Sequence, residues 1–497
     1  MLSAIVSREK WQVFGEGMGM RSGSTEQQRT ENYYGEELRD IQASELGRSK
    51  DALPPGKQCT SWRHYTYGLI GAEISRMSRY YDRVIQWARG PGETDLLLSA
   101  VDNMDKSVAA GFESIPDMKD EAEKRSIVLL NGTFNYELDI QGLLSALRSK
   151  LSRSSRVVVV VYNSYFAWIY WLANALGIRN SDMPCTFLTE SNVRNLSKLA
   201  GYEVVKSRPA AYFPFRLFGF GDLLNKVLPC IPILKWLSLT GIITLRPVIA
   251  TGHNPSLTIV IPARNERGNI EGALKRIPDM NGTEVEVIFV EGHSRDGTWE
   301  EIQRLKPLYE SRFPIAAFKQ TGKGKSDAGR LGFSKASKDL LVILDADLSM
   351  PPELLTRFYK AYVDGLADFV NGSRLVYPIE GQAMKFLNKI GNVFFAKLLS
   401  RVLGVSFGDT LCGTKLLSRT DYDRFIAWRS DFGDFDPFGD FELLFPAAIL
   451  GLGIVDVPIR YRDRLYGETN ISRFRHGLML LKMSLIGFFR ITLGQTR

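Results

Sequence analysis

The sequence predicts an α/β fold in two domains, each built on a parallel sheet. Three observations carry that expectation. The runs Arg156–Tyr162 and Leu340–Leu344 are apolar and rich in β-branched residues, the pattern of strands buried on both faces. Strand-like and helix-like stretches alternate along 126–205 and again along 257–355. The second apolar run leads straight into Asp345-Ala346-Asp347, which places two carboxylates where a buried strand surfaces. In open α/β sheets that edge is where ligands bind. Two carboxylates so close are costly unless positive charge sits between them. Carboxylate oxygens suit Mg²⁺ or Mn²⁺.

Bulk properties set bounds. The 497 residues carry 63 Lys+Arg against 55 Asp+Glu, a net charge of +8, which suits an acidic partner without choosing among nucleotide, anionic lipid and nucleic acid. No nucleic-acid recognition motif is present, so no nucleic-acid partner is expected. The four cysteines form no C-x-x-C pair, which argues against a zinc site and for a reducing compartment. Arg8, Glu9 and Lys10 stand where a secretory signal is apolar. Neither 157–178, broken by Asn163, Ser164 and Asn174, nor 477–489, too short and holding Lys482, reads as a membrane span. A cytoplasmic protein, peripheral on the inner face of the membrane, is the expectation.

Residues 1–54 read as a polar, loosely ordered tail ended by Pro54-Pro55-Gly56. Residues 55–249 form the first domain. Tyr80–Trp87 reads as a helix, and Asp95–Val101 as a possible first strand. Ser126–Leu130 reads as a strand, Ile140–Leu151 as an amphipathic helix, Arg156–Tyr162 as a buried strand and Phe166–Leu176 as a helix. Thr189 is the N-cap candidate of the next helix, which stops near Ala200-Gly201 before a strand at Tyr202–Val205. The strand–helix–strand order and the Ala200–Val205 stretch resemble the C-terminal part of class I, S-adenosylmethionine-dependent methyltransferases. Such enzymes hold their cofactor on a glycine-rich turn after the first strand. With Asp95–Val101 as that strand, Asp102-Asn103-Met104-Asp105 follows it without glycine, and too few residues remain before Ser126 for two more βα units. The expectation is an incomplete, degenerate domain with no functional S-adenosylmethionine site, serving as scaffold or membrane-docking module. The apolar, aromatic stretch 211–248 is read mostly as core plus the last strand, with an exposed share able to touch lipid.

Residues 250–256 read as a linker, 257–475 as the second domain and 476–497 as an apolar, basic C-terminal helix. Leu257–Pro262 is a strand followed by Ala263-Arg264-Asn265-Glu266, with a helix from about Gly268 to Ile277. Val285–Val290 is a strand ending at Glu291, and Ala316–Gln320 is the next. Lys323-Gly324-Lys325 precedes a helix through Ala336, and Pro351-Pro352-Glu353 opens another. Asn371-Gly372-Ser373-Arg374 ends a further strand.

Together these motifs resemble family 2 glycosyltransferases, inverting enzymes of the A-type (Rossmann-like) nucleotide-sugar-binding fold, and within them dolichyl-phosphate mannose synthases and polyprenyl-phosphate sugar transferases. The resemblance implies a nucleotide-sugar donor contacted by Pro262, Ala263, Asn265, Glu266, Glu291, Lys323, Lys325, Asp345, Ala346 and Arg374. It implies a Mg²⁺ or Mn²⁺ ion on Asp345 and Asp347, and a second phosphate contact at Arg464. Asp409–Lys415 resembles the segment shaping the acceptor side. Ser349 and Asn470 depart from a glutamine and a lysine common in the family. A lipid phosphate acceptor, already anionic, needs no general base, whereas a hydroxyl acceptor needs a carboxylate to take its proton. Asp440, Glu442 and Asp409 are the candidates. On a helical projection of 384–403, Met384, Leu387, Phe394, Phe395, Leu398 and Val402 share one arc, opposite Lys385, Lys389 and Lys397. That pattern suits either an anionic membrane surface or an ordinary core contact. A bifunctional transferase and a non-catalytic scaffold are the alternatives.

Overall fold

The structure is a computed structural model, and the residues described are 61–88, 95–119, 124–177, 184–280, 282–378, 386–433, 436, 438–462, 466 and 473–492. The expected tail, Arg464 and Asn470 lie outside them. Among these residues no helix is long and apolar enough to cross a membrane.

The first half runs α1 (Ser61–Ser78), β1 (Arg83–Trp87), α2 (Asp95–Ala100), β2 (Lys106–Ala109), β3 (Ser126–Asn131), α3 (Ile140–Arg148), β4 (Arg156–Tyr162), α4 (Ala167–Ala175), α5 (Glu190–Leu199), β5 (Tyr202–Ala210), α6 (Phe220–Val227) and β6 (Thr240–Pro247). Its sheet has the order β2-β1-β3-β4-β6-β5. The first four strands are parallel, while β6 runs antiparallel between β4 and β5. Alternate residues of β3 and β4 feed two cores. Val128, Leu130, Val157 and Val159 pack with α3, whereas Ile127, Leu129, Val158 and Val160 pack with α1 and α2. Thr189 caps α5, its hydroxyl accepting from Asn192 N at 3.3 Å.

Three expectations are corrected here. Tyr80–Trp87 is not a helix. The chain leaves α1 through a turn, and Val84, Ile85 and Gln86 are buried between β2 and β3, a place for a β-branched pair. Asp95–Val101 is not a strand: α2 sets Leu97, Leu98 and Val101 against α1, and a Cβ on Gly71 would lie 2.6 Å from the Ala100 carbonyl oxygen. Gly90 and Gly92 therefore follow the first strand in sequence, although they lie outside the described residues. Finally, most of 211–248 is not core. Phe215, Leu217, Phe218, Phe220, Leu223, Val227, Ile231 and Trp236 are exposed, while burial is confined mainly to Ala211, Tyr212 and β6 with its flanks.

The second half runs β7 (Leu257–Ala263), α7 (Arg267–Arg276), β8 (Val285–Glu291), α8 (Thr298–Tyr309), β9 (Ile315–Lys319), α9 (Lys325–Lys335), β10 (Leu340–Ile343), α10 (Leu355–Val363), β11 (Phe369–Ser373), α11 (Phe386–Leu403), β12 (Lys415–Ser418), α12 (Arg419–Phe432), α13 (Phe441–Ile449), β13 (Ile454–Pro458) and α14 (Arg473–Gly487), with a last turn at Phe488–Thr492. The sheet order is β13-β11-β12-β10-β7-β8-β9, parallel except for β12. Leu340, Val342 and Leu344 face the core under α7, α8 and α10, while Leu341 and Ile343 face the one under α9, α12 and α13. Burying each such side chain contributes about 1.5–3 kcal/mol. Gly332 lets α9 lie against β7, since a Cβ there would meet Val260 Cγ1 at 2.2 Å.

Helix α11 packs against the core along part of its surface. Ala396, Leu399, Val402 and Leu403 are buried, whereas Ile390 and Phe394 are exposed. Likewise α14 buries Leu480 and Met483 and exposes Leu478, Leu481 and Leu485.

Both sheets belong to one compact unit, Thr60–Arg497. Arginines of the first grip the second just before β11. Arg156 and Arg246, both fully buried, bond the Asp368 carboxylate at 2.7 and 3.3 Å, and Arg153 bonds it at 3.2 Å. Their remaining donors reach carbonyls of Tyr362, Gly365, Leu366, Ala367 and Gly451. A Cβ on Gly453 would meet Arg246 Nε at 2.2 Å, so only glycine admits that guanidinium.

Candidate active site

In the second sheet β7 has β8 on one side and β10 on the other, so the strand order reverses between β7 and β10. The crevice beyond their C-terminal ends is the ligand position expected of such a sheet. Asp345 and Asp347 stand there. Asp347 is buried and accepts from Ser349 N at 3.0 Å and Ser349 Oγ at 2.7 Å. Asp345 keeps about a quarter of its side chain exposed and accepts from the Lys325 ammonium. Burial alone would lower the Lys325 pKa, but the charges of Asp345, Asp440 and Asp347 outweigh it and hold it well above the ordinary lysine value. Burial would likewise raise Asp345, yet Lys325 keeps it below the usual carboxylate range. Lys325 opens α9 after Gly324, whose φ of 91° lies in the left-handed region. Positive charge is thus already gathered where the carboxylates converge.

The loops after β7 and β8 are tied together. Asn265 N donates to Ser294 Oγ at 3.0 Å, Arg295 N donates to Asn265 Oδ1 at 2.9 Å, and Glu266 N donates to Thr298 Oγ1 at 3.0 Å. Glu291 is buried at the end of β8 and accepts from Ser294 N. Ala263 pairs with Glu291 in the ladder beside Pro262, and Ala346 is buried between the two aspartates. Asn265, His293 and Leu348 take φ of 55°, 60° and 55°, so left-handed backbone recurs just past the ends of β7, β8 and β10. Strain of this kind, about 1–3 kcal/mol per residue, concentrates at functional sites. Lys323 is exposed in the turn before α9.

The other candidates are held in ion pairs. Arg374, just past β11, is bidentate to Asp409 at 2.7 and 2.9 Å, and its backbone N–H donates to the same carboxylate at 3.1 Å. Burial would lower Arg374, but Asp409 raises it; burial would raise Asp409, but Arg374 holds it low. Asp440 accepts from the fully buried Lys415 ammonium. Glu442 accepts from Ser326 Oγ at 3.1 Å and Arg330 Nε at 2.9 Å, with Arg429 at 3.6 Å.

Sequence reasoning missed several members. Asp436 accepts from Phe441 N at 2.6 Å and Glu442 N at 3.0 Å at the start of α13, and burial together with Asp440 pushes its pKa up to about 6. Gly413 lies against the pair at the centre, since a Cβ there would meet Lys325 Nζ at 1.9 Å and Asp345 Oδ2 at 2.4 Å. Lys415 closes the segment already singled out at Asp409, but only the paired strands show it facing Asp440. Arg330 and Arg429 lie on helices whose spacing gives no sign of a shared partner.

Comparison with known proteins matches the sequence model of glycosyl transferase family 2 to residues 258–425. A dolichyl-phosphate hexose transferase of Haloferax volcanii is 30% identical over 226 residues, 46% of this chain and 91% of the relative. The chain belongs to glycosyltransferase family 2. A dolichol-phosphate mannosyltransferase of Pyrococcus furiosus is 31% identical over 241 residues, 46% of this chain; the chain spans 64% of that relative's length. Among solved structures, a mannosyltransferase from Pyrobaculum calidifontis, in complex with GDP-mannose and Mn²⁺, aligns at 18% identity and TM-score 0.34, covering 49% of this chain and 66% of that one. Glucosyl-3-phosphoglycerate synthase of Mycobacterium tuberculosis aligns at 18% identity and TM-score 0.33, covering 49% and 82%. The family match falls on the second sheet and leaves the first outside it.

Proposed function

We propose that the protein is a metal-dependent, inverting glycosyltransferase that moves a sugar from a nucleotide diphosphate to a polyprenyl phosphate at the inner face of a membrane. The observation that carries this reading is the meeting of Asp345, Asp347 and Lys325 at the switch point between β7 and β10. The donor set fits a hard divalent ion. Both carboxylates present oxygen, and Lys325 shows that Asp345 already takes a cation. Among the described residues no third acidic or imidazole ligand joins them, so the remaining ligands would be donor phosphate oxygens and water. Held by Asp345 and Asp347, an ion such as Mg²⁺ or Mn²⁺ would supply Lewis-acid neutralisation of diphosphate charge.

The chain's own residues supply the rest. Lys325, at the start of α9, adds positive charge beside the leaving group. Asn265, Glu266 and Glu291, fixed by the tied loops, line the nucleotide side. Arg374 and Asp409 form a rigid pair on the acceptor side. All three candidate bases are neutralised by cations, Asp409 by Arg374, Asp440 by Lys415 and Glu442 by Arg330 and Arg429. That favours an acceptor that brings its own negative charge, namely a lipid phosphate, over a hydroxyl that must lose a proton. The two relatives' names, dolichol-phosphate mannosyltransferase and dolichyl-phosphate hexose transferase, point the same way. The test is sugar transfer from UDP- and GDP-sugars to a polyprenyl phosphate with Mn²⁺, with the product anomer read by NMR. Turnover on hydroxyl acceptors alone would overturn the acceptor assignment.

One observation favours a second reading, a bifunctional enzyme that also uses S-adenosylmethionine. The first sheet also reverses its order, between β1 and β3, and Gly90 and Gly92 follow β1 in sequence. Calorimetric binding of S-adenosylmethionine at micromolar affinity would establish it, and its absence would leave the first half as a docking module.

A further inference from the structure

A cavity of about 590 Å³ lies away from the aspartates, where β5 and the segment after it meet the C-terminal end of α11 and the last turn of the chain. Arg76, Arg208, Arg216, Lys226, Lys235 and Arg401 line it, against two carboxylates, Glu73 and Asp222. Glu73 is shared among Arg76 at 3.0 Å, Lys206 at 3.8 Å and Arg208 at 3.9 Å. Asp222 is taken by Arg216 at 3.1 Å and the Tyr65 hydroxyl at 2.9 Å. Lys226, Lys235 and Arg401 are left without an ion pair among the described residues. Burial first, then the facing charges of Arg208 and Arg401, lower the Lys235 pKa against the opposing charge of Glu190. Tyr212, also on the wall, is buried with its hydroxyl lacking any hydrogen-bond partner. An unpaired buried hydroxyl is a hydrogen-bond donor with no acceptor.

The surroundings identify the anion's carrier. Exposed apolar side chains adjoin the lining cations in sequence. Phe215 and Leu217 flank Arg216, Val227 follows Lys226, and Trp236 follows Lys235. Leu217 and Phe218 are held in left-handed backbone, φ 36° and 53°, with the Phe218 ring fully exposed. Trp236 contacts Tyr165 edge-on at 6.1 Å, which extends the surface to α4, where Trp168 and Trp171 are 61% and 64% exposed. Across the cavity, Phe394 and Phe489 are exposed close in sequence to the lining residues Leu398 and Phe488. An apolar, tryptophan-rich surface interleaved with cations is what an anionic bilayer binds.

We infer that the first half is the membrane-docking module, its aromatic surface entering the bilayer interface while the basic cavity seats the phosphate head of an anionic lipid. This goes beyond the sugar-transfer reading and uses none of that site's residues. The full chain is floated with phosphatidylcholine vesicles, with and without phosphatidic acid, beside W168S/W171S and K235E/R401E, with circular dichroism as the folding control. Wild type is expected to float with both vesicles and more strongly with phosphatidic acid. K235E/R401E should lose at least about tenfold of the phosphatidic-acid gain, and W168S/W171S should lose flotation on both. Sugar transfer to a soluble short-chain acceptor should be unchanged in all, which separates failure here from failure of the catalytic reading. No flotation of wild type, or flotation untouched by either pair, overturns the inference. So does stabilisation by inorganic phosphate without vesicle binding, which would make the cavity a free-phosphate site.

Discussion

Asp368→Asn tests how the two sheets are joined. The substitution keeps the side chain's size and one carbonyl oxygen but removes the charge that three arginines share. Burial alone would raise the Asp368 pKa; Arg246, Arg156 and Arg153 instead hold it far below the ordinary carboxylate value. Removing one partner of a buried ion pair costs about 3–5 kcal/mol. Here Glu203 remains on Arg246 at 2.7 Å, and the carbonyls on 362–367 remain, so the low end, about 3 kcal/mol, is expected. For a unit of this length the unfolding entropy is roughly 0.9 kcal/mol/K, which converts that loss into a melting point lower by roughly 3 °C. Differential scanning calorimetry measures it at pH 7. A folded pKa below the unfolded one means the contribution is full above the ordinary aspartate value. It is lost only as pH falls through the folded one, so the gap between variant and wild type should narrow in acid. Replacing Asp368, Arg156 and Arg246 together by apolar residues should recover part of the loss. A variant melting within about 1 °C of wild type at pH 7 would show that Glu203 and the carbonyls suffice to order the arginines.

The remaining expectations concern the site. Asp345→Asn and Asp347→Asn should each abolish sugar transfer while the circular dichroism spectrum stays native, and full activity after EDTA treatment would refute the metal role. Gly413→Ala should cut transfer at least about tenfold with little change in melting point, because its Cβ displaces Lys325 and Asp345 rather than core atoms. Asp436 has a folded pKa of about 6, above the unfolded value, so its ionisation opposes folding as pH rises from about 4 to about 6. Asp436→Asn should therefore gain on wild type in urea midpoint across that window and hold the gain above it; parallel curves would refute the assignment.

The second sheet was legible because its strands are near-continuous apolar runs whose ends carry chemistry, as at Asp345 and Glu291. Glycines and prolines punctuate its helices where the backbone requires them. The first sheet was misread at its start. Arg83–Trp87 is short and continues a stretch with helical spacing, and only pairing with two neighbours makes it a strand. The same slip moved Gly90 and Gly92 away from the first strand. In the site, the aspartates were legible one by one, but not their partners. Lys415 meets Asp440 across 25 positions, and Arg330 meets Glu442 across 112. Local pattern is silent about such distant pairs. The exposure of 213–236 was hidden for a related reason, since composition does not distinguish a buried aromatic from one turned toward a second phase.

Strand β11 has a bearing on how this chain can be divided. One of its ends adjoins Asp368 and the other adjoins Arg374, with the five strand residues between them, about 20 Å of extended chain. The end gripped by the arginines of the first sheet and the end carrying the Arg374–Asp409 pair are thus opposite tips of a single rod. Cutting the chain at the joint near Pro255 would free one tip, leaving Asp368 without its guanidinium escort and Arg374 on a loosened support. The second half expressed alone should be a poorer enzyme than the whole chain.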